Sequence, residues 1–380
     1  MPAKYVNYHF ITFAVMNARI IDIIQVLENW APPALQESYD NSGLICGDAQ
    51  LACSGVVVCL DSTEAVIDEA VEKGYNLVVA HHPILFTGIK KLTGKTYAER
   101  AIIKAIRNNI AIYALHTNLD AVYTGVNKKI GALLGIDKPS VLRKAEQNLL
   151  QLVTYVPEES AEKVRCALFA AGAGAIGNYD ECSFNLSGIG TFRPGPGSDP
   201  VLGKQGVRES VSEQRIEVIL PTWKRQAVLD ALWKAHPYEE VAYQYFKTEN
   251  TLQDAGSGMI GILPEAILYK ELLDRIKSTF GGIIRHTKPN KTQVQKIAWC
   301  GGSGSFLLQD AIRNGADVFL TSDFKYHQFF DAEDRILIVD IGHYENEQFT
   351  IELIYTHLKD NFPNFAGCQT GIQTNPIHYF

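Results

Sequence analysis

The feature that most restricts the fold of this chain is an alternation of apolar, β-branched segments with amphipathic segments, present towards both ends and interrupted in the middle. From residue 55, runs of strand length alternate with segments of helical periodicity. This alternation predicts an α/β unit with a mostly parallel sheet. The predicted strands are GVVVCL, NLVVA (76–80) and IAIYAL (110–115), and the predicted helices are TEAVIDEAVEKG, TYAERAIIKAIRNN and VNKKIGALLG.

The last third of the chain repeats this alternation. Its predicted strands are KIAWC (296–300), ADVFLT and RILIVD, and its predicted helices are FLLQDAIRNG, KYHQFFDAE and a long NEQFTIELIYTHLKDNF. We therefore expect residues 16–145 and 251–380 to be the two halves of one α/β domain.

The middle of the chain, 146–250, follows a different order. Its segments predict strand, helix, strand, strand, helix and strand, which is the ferredoxin-like α+β arrangement. RPGPGSDPVLGKQG predicts a long loop between the two middle strands, because Gly and Pro dominate it. TENTLQDAGSGMIG is expected to be the linker that returns to the α/β domain. The chain thus predicts one α/β domain interrupted by a ferredoxin-like insert.

Composition excludes several other classes of protein. Hydrophobic residues make up 46% of the chain and charged residues 20%, as in packed globular proteins. The formal charge of -7 comes without a long basic run, so we expect no nucleic-acid partner. No uninterrupted apolar stretch approaches the ~20 residues that cross a bilayer, so we expect no membrane association. Residues 1–15 predict an N-terminal extension rather than a signal peptide.

The seven cysteines are odd in number, scattered and without a C-x-x-C pair. Several of them lie in apolar, strand-like runs, as Cys59 does in GVVVCL. This distribution favours reduced thiols over a disulfide framework or a cysteine-rich zinc site. A cytoplasmic location is therefore expected.

Histidine and carboxylate side chains follow the predicted strands at the point where each strand ends. In open α/β sheets, ligands bind at the carboxyl ends of the strands, so we expect these side chains to meet at one sheet edge. They are His81 and His82 in AHHP, His116 and Asp120 in ALHTNLD, Asp323 and His327 in TSDFKYH, and His343 and Glu347 in DIGHYENE.

Imidazole and carboxylate together suit Zn, Fe, Mn, Co or Ni, and the absence of cysteine ligands argues against a closed structural zinc site. Because adjacent residues cannot easily bind one ion, His81 and His82 suit two ions roughly 3.5–4 Å apart, bridged by a carboxylate such as Glu347. Each residue also has a purely structural explanation: a loop at His-His-Pro, a helix cap at Asp120, or a first-turn acid at Glu347. The clustering of several such residues favours the metal hypothesis.

A second motif, WCGGSGSF (299–306), predicts a glycine-rich turn between a strand and a helix. Its backbone amides at Gly301, Gly302, Ser303 and Gly304 are candidates to bind an anionic substrate group, although tight packing alone would also explain the glycines. In the insert, HPYEEVAY predicts a structured turn rather than a second metal site.

The chain resembles the GTP cyclohydrolase 1 type 2 homologues, also called the NIF-three-like dinuclear-metal proteins. The resemblance covers nearly the whole chain from Met16, and it implies a PII-like or CutA-like insert and a ring-shaped homohexamer. It also implies two metal ions held by His81, His82, Asp120, His343 and Glu347, with His116 and His327 nearby. The segments that carry the resemblance are YDNSGLICGD, VVAHHPILF, LHTNLDA, YVPEESAEKVRCALFAAGAGAIGNYDECSF, GTFRP, AHPYEEVAY, WCGGSGSF and DIGHYENE.

Two main functional hypotheses follow. The first is a metal-dependent hydrolase of a small nucleotide-like or phosphate-bearing substrate, using two divalent ions (Zn, Fe or Mn) and His116 or His327 as proton shuttle. The second is a non-enzymatic metal-responsive regulator or metal carrier, in which the insert senses a ligand or docks a partner. An assembly scaffold with a vestigial site is a third alternative.

Overall fold

The computed structural model describes residues 18–380, so the predicted N-terminal extension, 1–15, lies outside the described residues. Two compact units are present. The first combines the described residues up to Arg143 with Ala255–Phe380, and the second is Lys144–Asp254. No helix in the described range is both long and apolar enough to span a bilayer.

The amino-terminal part of the first unit contains five helices and five strands. Residues Glu64–Lys73 show why the sequence folds locally as it does, because Thr63 caps the first turn of this helix and Gly74 ends it in the left-handed conformation. The elements are α1 (Ile20–Trp30), β1 (Gly43–Cys46), β2 (Val56–Asp61), α2 (Glu64–Lys73), β3 (Leu77–His82), α3 (Tyr97–Arg107), β4 (Ala111–Ala114), α4 (Thr117–Ala121), α5 (Val126–Leu133) and β5 (Ser140–Lys144).

The second unit contains four strands and two α-helices among its described residues. Its antiparallel sheet has the order β7-β8-β6-β9, which is the ferredoxin-like arrangement predicted from the sequence. The buried faces of both helices pack against the sheet through residues such as Val164, Leu168 and Leu232. The elements are β6 (Leu149–Pro157), α6 (Ala161–Ala170), β7 (Phe184–Phe192), β8 (Glu209–Pro221), α7 (Arg225–Ala235) and β9 (Tyr243–Lys247).

The remainder of the first unit follows from Gly256 onward. A short 3-10 turn at Ser305–Leu307 follows the strand Gln293–Ser303, and another at Tyr326–Ala332 follows the strand Val318–Ser322. The elements are β10 (Gly256–Leu268), α8 (Tyr269–Phe280), β11 (Arg285–His286), β12 (Gln293–Ser303), α9 (Leu308–Arg313), β13 (Val318–Ser322), β14 (Leu337–Asp340), α10 (His343–Glu347), α11 (Thr350–Asn361) and β15 (Gly367–Gln369).

The described residues of the first unit form two sheets, not the single sheet expected from the sequence. One sheet has the order β1-β4-β3-β2-β15 and the other has the order β11-β14-β13-β12-β10-β5. Both contain three parallel strands that are consecutive in the chain, with a short antiparallel strand beside the third. Hydrophobic periodicity predicts strands but not which strands pair, so the sequence could not separate one sheet from two.

Two local predictions also need correction. The end of the predicted return linker, from Gly256 onward, belongs to β10. Glycine stands in this strand at Gly261 because an added Cβ atom would lie 2.4 Å from Ile136 Cγ2. The predicted long carboxyl-terminal helix is present as α11 but begins later than predicted, at Thr350, because its first two residues, Asn346 and Glu347, belong to the short helix α10.

Candidate metal centre

The carboxyl ends of the two sheets bring the predicted ligands together. His81 and His82 are the last residues of β3, while Asp120 lies in α4 just after β4. His343 and Glu347 are the first and last residues of α10, which follows β14 of the other sheet. Ligands from distant parts of the sequence are therefore neighbours in one cluster.

The His81 ring is fully buried and is oriented by the backbone. Its Nδ1–H donates to the carbonyl oxygen of Leu115 at 2.7 Å, which leaves Nε2 as the nitrogen with a free lone pair. This Nε2 atom lies 3.8 Å from Asp120 Oδ1 and 3.6 Å from Glu347 Oε1. Both His81 Nε2 and Asp120 Oδ1 are buried without a hydrogen-bond partner among the described atoms.

His82 and His343 form the other side of the cluster. Their Nε2 atoms are 3.3 Å apart, and each lies 2.9 Å from Glu347 Oε2. A carboxylate fixes each ring from behind: His82 Nδ1 donates to Asp61 Oδ1 at 2.8 Å, and His343 Nδ1 donates to Asp323 Oδ2 at 2.6 Å. This carboxylate–imidazole pattern is typical of histidines that ligate metals.

Glu347 occupies the middle of the cluster. Its Oε1 faces His81 and its Oε2 faces His82 and His343, so one carboxylate serves two groups of potential ligands. Gly302 allows this position, since a Cβ atom there would lie 2.3 Å from Glu347 Oε1. The bridging role of Glu347 between two ions stays a prediction.

Burial and the close spacing of ionisable groups shift the pKa values of several residues in the cluster. Burial, together with the charge of Glu347, raises the pKa of Asp120 to about 8. Burial alone would lower the pKa of His343, but the charges of Glu347 and Asp323 raise it to about 11. Burial would likewise lower the pKa of His82, yet hydrogen bonds to Asp61 and Glu347 raise it to about 9.

His116 lies beside the cluster and is oriented by Asp40. The two ring centroids of His82 and His116 are 5.6 Å apart. His116 Nδ1 donates to Asp40 Oδ1 at 2.7 Å, and the hydroxyls of Thr117 and Ser42 donate to Asp40 Oδ2. Burial would raise the pKa of Asp40, but the hydrogen bonds from His116 and Thr117 hold it well below its usual range.

Another predicted residue, His327, lies in a different place. It is exposed, packs against Tyr326 and Phe330, and is not one of the described residues that line the cavity above the cluster. Asp323, which the sequence placed on the same strand end, does reach the cluster through His343. Its left-handed backbone, with φ of 62°, turns the chain directly after β13.

The glycine-rich motif borders the cavity, but not as a helix terminus. Gly301, Gly302 and Ser303 line the cavity and belong to β12, while Gly304 is outside the lining. The Gly301 amide is not free, because it donates to Asn127 Oδ1 at 2.9 Å. The following helix, α9, has six residues and begins after a 3-10 turn. The glycines serve close packing: at Gly304, a Cβ atom would lie 2.5 Å from Cys300 Cβ.

Sequence reasoning missed two carboxylates that orient the histidines. Asp61 ends β2 and orients His82, and Asp40 precedes β1 and orients His116. Asp61 follows the apolar run VVVCL, so the strand-end rule that found His82 could also have found it. Asp40 follows no predicted strand and carries no comparable signal.

The donor set fits a divalent metal ion. Imidazole nitrogen and carboxylate oxygen are common ligands of Zn, Fe and Mn. The buried and unpartnered atoms His81 Nε2 and Asp120 Oδ1 need a partner, since an unsatisfied buried polar atom is costly. His81, His82 and Glu347 alone offer three ligand atoms within 4.8 Å of one another.

The fold and the cluster together define an α/β protein with a candidate metal centre and an inserted ferredoxin-like unit. Residues 18–376 match the model of the family described as DUF34/NIF3, NGG1p interacting factor 3. The chain belongs to this family, which confirms the resemblance seen in the sequence.

Relatives support this membership along nearly the whole chain. A GTP cyclohydrolase 1 type 2 homolog of Halalkalibacterium halodurans is 38% identical over 363 residues, covering 94% of this chain and 98% of the relative. A relative of the same name from Bacillus subtilis is 40% identical over 326 residues, which cover 85% of this chain and 87% of the relative. The crystal structure of a Bacillus cereus protein related to NIF3 matches with a TM-score of 0.85 and 34% identity, covering 96% of this chain and 99% of that one.

Proposed function

We propose that this protein binds two divalent metal ions and hydrolyses a small nucleotide-like or phosphate-bearing molecule. The observation that carries the proposal is the position of Glu347, whose two carboxylate oxygens face two separate groups of ligand atoms. One ion would be held by His81, Asp120 and Glu347. The other would be held by His82, His343 and Glu347.

A pair of ions at this place would supply an activated water nucleophile at neutral pH and would stabilise developing negative charge. The protein itself supplies orientation, because Asp61 and Asp323 fix the rings of His82 and His343. His116 is the proton-transfer group: with Nδ1 held by Asp40, its Nε2 is available in the cavity. His327 is the weaker candidate for this role because it does not line the cavity.

The name of the relatives supports a nucleotide-like substrate. Several relatives are named GTP cyclohydrolase 1 type 2 homolog, and hydrolysis at a ring carbon requires an activated water close to the ring. The cavity of about 660 Å³ that opens on the cluster is large enough for such a molecule. Gly301, Gly302 and Ser303 form one wall and would contact the substrate.

The test begins with elemental analysis of protein purified without added metal or chelator. Two equivalents per chain are expected, and alanine variants of the five ligands should lose metal. The loaded protein should turn over a member of a panel of nucleotides and phosphoesters, and His82→Ala should abolish that turnover. His286→Ala is a matched control, because His286 is exposed and, among the described residues, its ring hydrogen-bonds only to the carbonyl oxygen of Thr287. Turnover that survives His82→Ala would refute the hydrolase.

The alternative is a metal-responsive regulator or metal carrier. It predicts two bound equivalents, no turnover of any panel member and altered metal handling in a deletion strain. Metal content therefore tests the site, and turnover separates the two functions.

Location and assembly are part of the same proposal. All seven cysteines are free thiols, which supports a reducing, cytoplasmic location. The homohexamer that the family resemblance implies is tested by light scattering, with six times the chain mass as the expected result and a monomer as the contradicting one.

A further inference from the structure

The mouth of the cavity carries four aromatic side chains from four separate segments. They are large apolar rings that the fold leaves substantially exposed, although exposing such surface to water is unfavourable. The four, with their exposed fractions, are Tyr39 before β1 (65%), Phe86 after β3 (53%), Tyr97 at the start of α3 (61%) and Phe306 after β12 (50%).

These rings do not cover one another. Among the described residues, Phe86 meets the edge of His116 at 5.8 Å between ring centroids. One face of Phe306 lies near the Arg143 guanidinium, 5.4 Å from the ring centroid. No stacking between any two of the four rings is seen in the described part of the chain. Their open faces are therefore free to pack against a flat molecule.

The ionisable groups that line the cavity are carboxylates and the imidazoles of the metal cluster. Its described lining includes the carboxylates of Glu37, Asp61, Asp120 and Glu347 but no Lys or Arg. Arg143 lies outside the lining, and its guanidinium donates to Asp310. Proteins usually bind phosphate chains with Arg or Lys side chains, or with free backbone amides at a helix N-terminus. Lys and Arg are absent from this described lining, and the side chain of Thr63, which caps α2 at its edge, already accepts the Val66 amide.

We propose that the cavity binds a planar, uncharged aromatic heterocycle, stacked on the aromatic residues at its mouth, and does not select for a polyphosphate. This inference depends on the proposed function for one point, the position of the reacting end of the molecule at the metal cluster. It narrows the substrate class from nucleotides in general to bases, nucleosides and similar neutral ring compounds. Affinity then comes from stacking and burial rather than from charge.

The experiment measures dissociation constants by calorimetry for guanosine, adenosine, ribose and GTP. It uses the full chain as purified and its His82→Ala variant stripped of metal with a chelator, in which phosphate binding to metal is removed. At least one of the two nucleosides should bind at least tenfold more tightly than ribose in both proteins. In His82→Ala, GTP should bind less than tenfold more tightly than guanosine.

The aromatic contribution is tested with Phe86→Leu and, as a control, Phe330→Leu. Phe330 is 67% exposed and does not line the cavity. Phe86→Leu should weaken nucleoside binding about tenfold, as expected for loss of one stacking ring, and Phe330→Leu should not. A tenfold preference for GTP in His82→Ala would overturn the inference, as would nucleosides that bind no better than ribose or an unaffected Phe86→Leu. If turnover depends on His82 while nucleosides fail to bind, the proposed function stands and this inference falls.

Discussion

Replacing Gly302 with alanine should disable the metal centre without removing a ligand. The Gly302 backbone has φ of 62°, and an added Cβ atom would lie 2.3 Å from Glu347 Oε1 and 3.4 Å from His343 Cε1. Real Cβ atoms essentially never approach another heavy atom within 3.0 Å, so the carboxylate oxygen must move by at least about 0.7 Å. Since Oε1 is the atom that faces His81, the displacement should weaken the side of the site formed by His81 and Asp120.

Two magnitudes follow from this geometry. The left-handed backbone costs an alanine ~1–2 kcal/mol of folding free energy. A ligand displaced by most of an ångström should lower metal affinity ~10-fold or more, comparable to the loss when the orienting partners of ligands are removed. We therefore expect Gly302→Ala to remain folded and to keep one equivalent of metal or fewer.

Gly74→Ala is the matched control. Gly74 has φ of 68°, and no atom lies within 4 Å of the position that an added Cβ atom would take, so alanine there meets the same backbone strain without a clash. Both variants should lose similar unfolding free energy in urea titrations of chelator-treated protein, whereas elemental analysis of untreated protein should show metal loss in Gly302→Ala alone. Wild-type metal content in Gly302→Ala, or equal metal loss in Gly74→Ala, would refute the reasoning.

Three further predictions follow. Thr374→Val removes the hydroxyl that donates to Asp61 Oδ2 at 2.7 Å, so competition titrations with a chromophoric chelator should show ~10-fold weaker metal binding. Thr374→Ser keeps the hydroxyl and should bind metal normally. Equal metal affinities of Thr374→Val and the unchanged protein would contradict this role. Burial lowers the pKa of His357 to about 4, so the unfolded state binds more protons as pH falls from about 6.5 to 4, and ~3 kcal/mol of stability should be lost across that window. His357→Phe, which can keep the stacking on Trp30, should flatten the pH dependence of urea unfolding, and an unchanged slope would argue against it. Metal removal by a chelator should lower the unfolding temperature, because free metal at 100 times the dissociation constant adds ~2.7 kcal/mol per site; an unchanged calorimetric midpoint would exclude tight binding to the folded state.

Much of the fold could be predicted because local periodicity is strong. The apolar runs that form β2, β3 and β14 are fully or nearly fully buried, so their sequences carry almost no polar residues. The glycine-rich GSGMIG misled the prediction of β10, because glycine in a loop and glycine at a crowded strand look alike in sequence. Gly258, for instance, would bring a Cβ atom within 2.8 Å of the carbonyl oxygen of Trp299.

Only those residues of the candidate site that follow a predicted strand could be predicted from the sequence. His82 and Glu347 were found because each follows an apolar run that predicts a strand. Asp40 was missed because its role depends on a contact with His116, 76 positions away in the chain. The pairing of strands across the insert is likewise a tertiary property, which explains why one sheet was predicted and two are present.

The two sheets also indicate why a bound ligand would stabilise the candidate centre. One sheet supplies His81 and Asp120, whose Nε2 and Oδ1 atoms are buried without partners, and the other supplies Glu347, which is almost fully buried. Each unsatisfied buried polar atom costs ~1–3 kcal/mol, and this cost rises with uncompensated charge. Hydrophobic packing alone would favour apolar residues at this junction. The presence of imidazole and carboxylate groups there is therefore best explained by a ligand that satisfies them, and the bridging position of Glu347 links that ligand to both sheets at once.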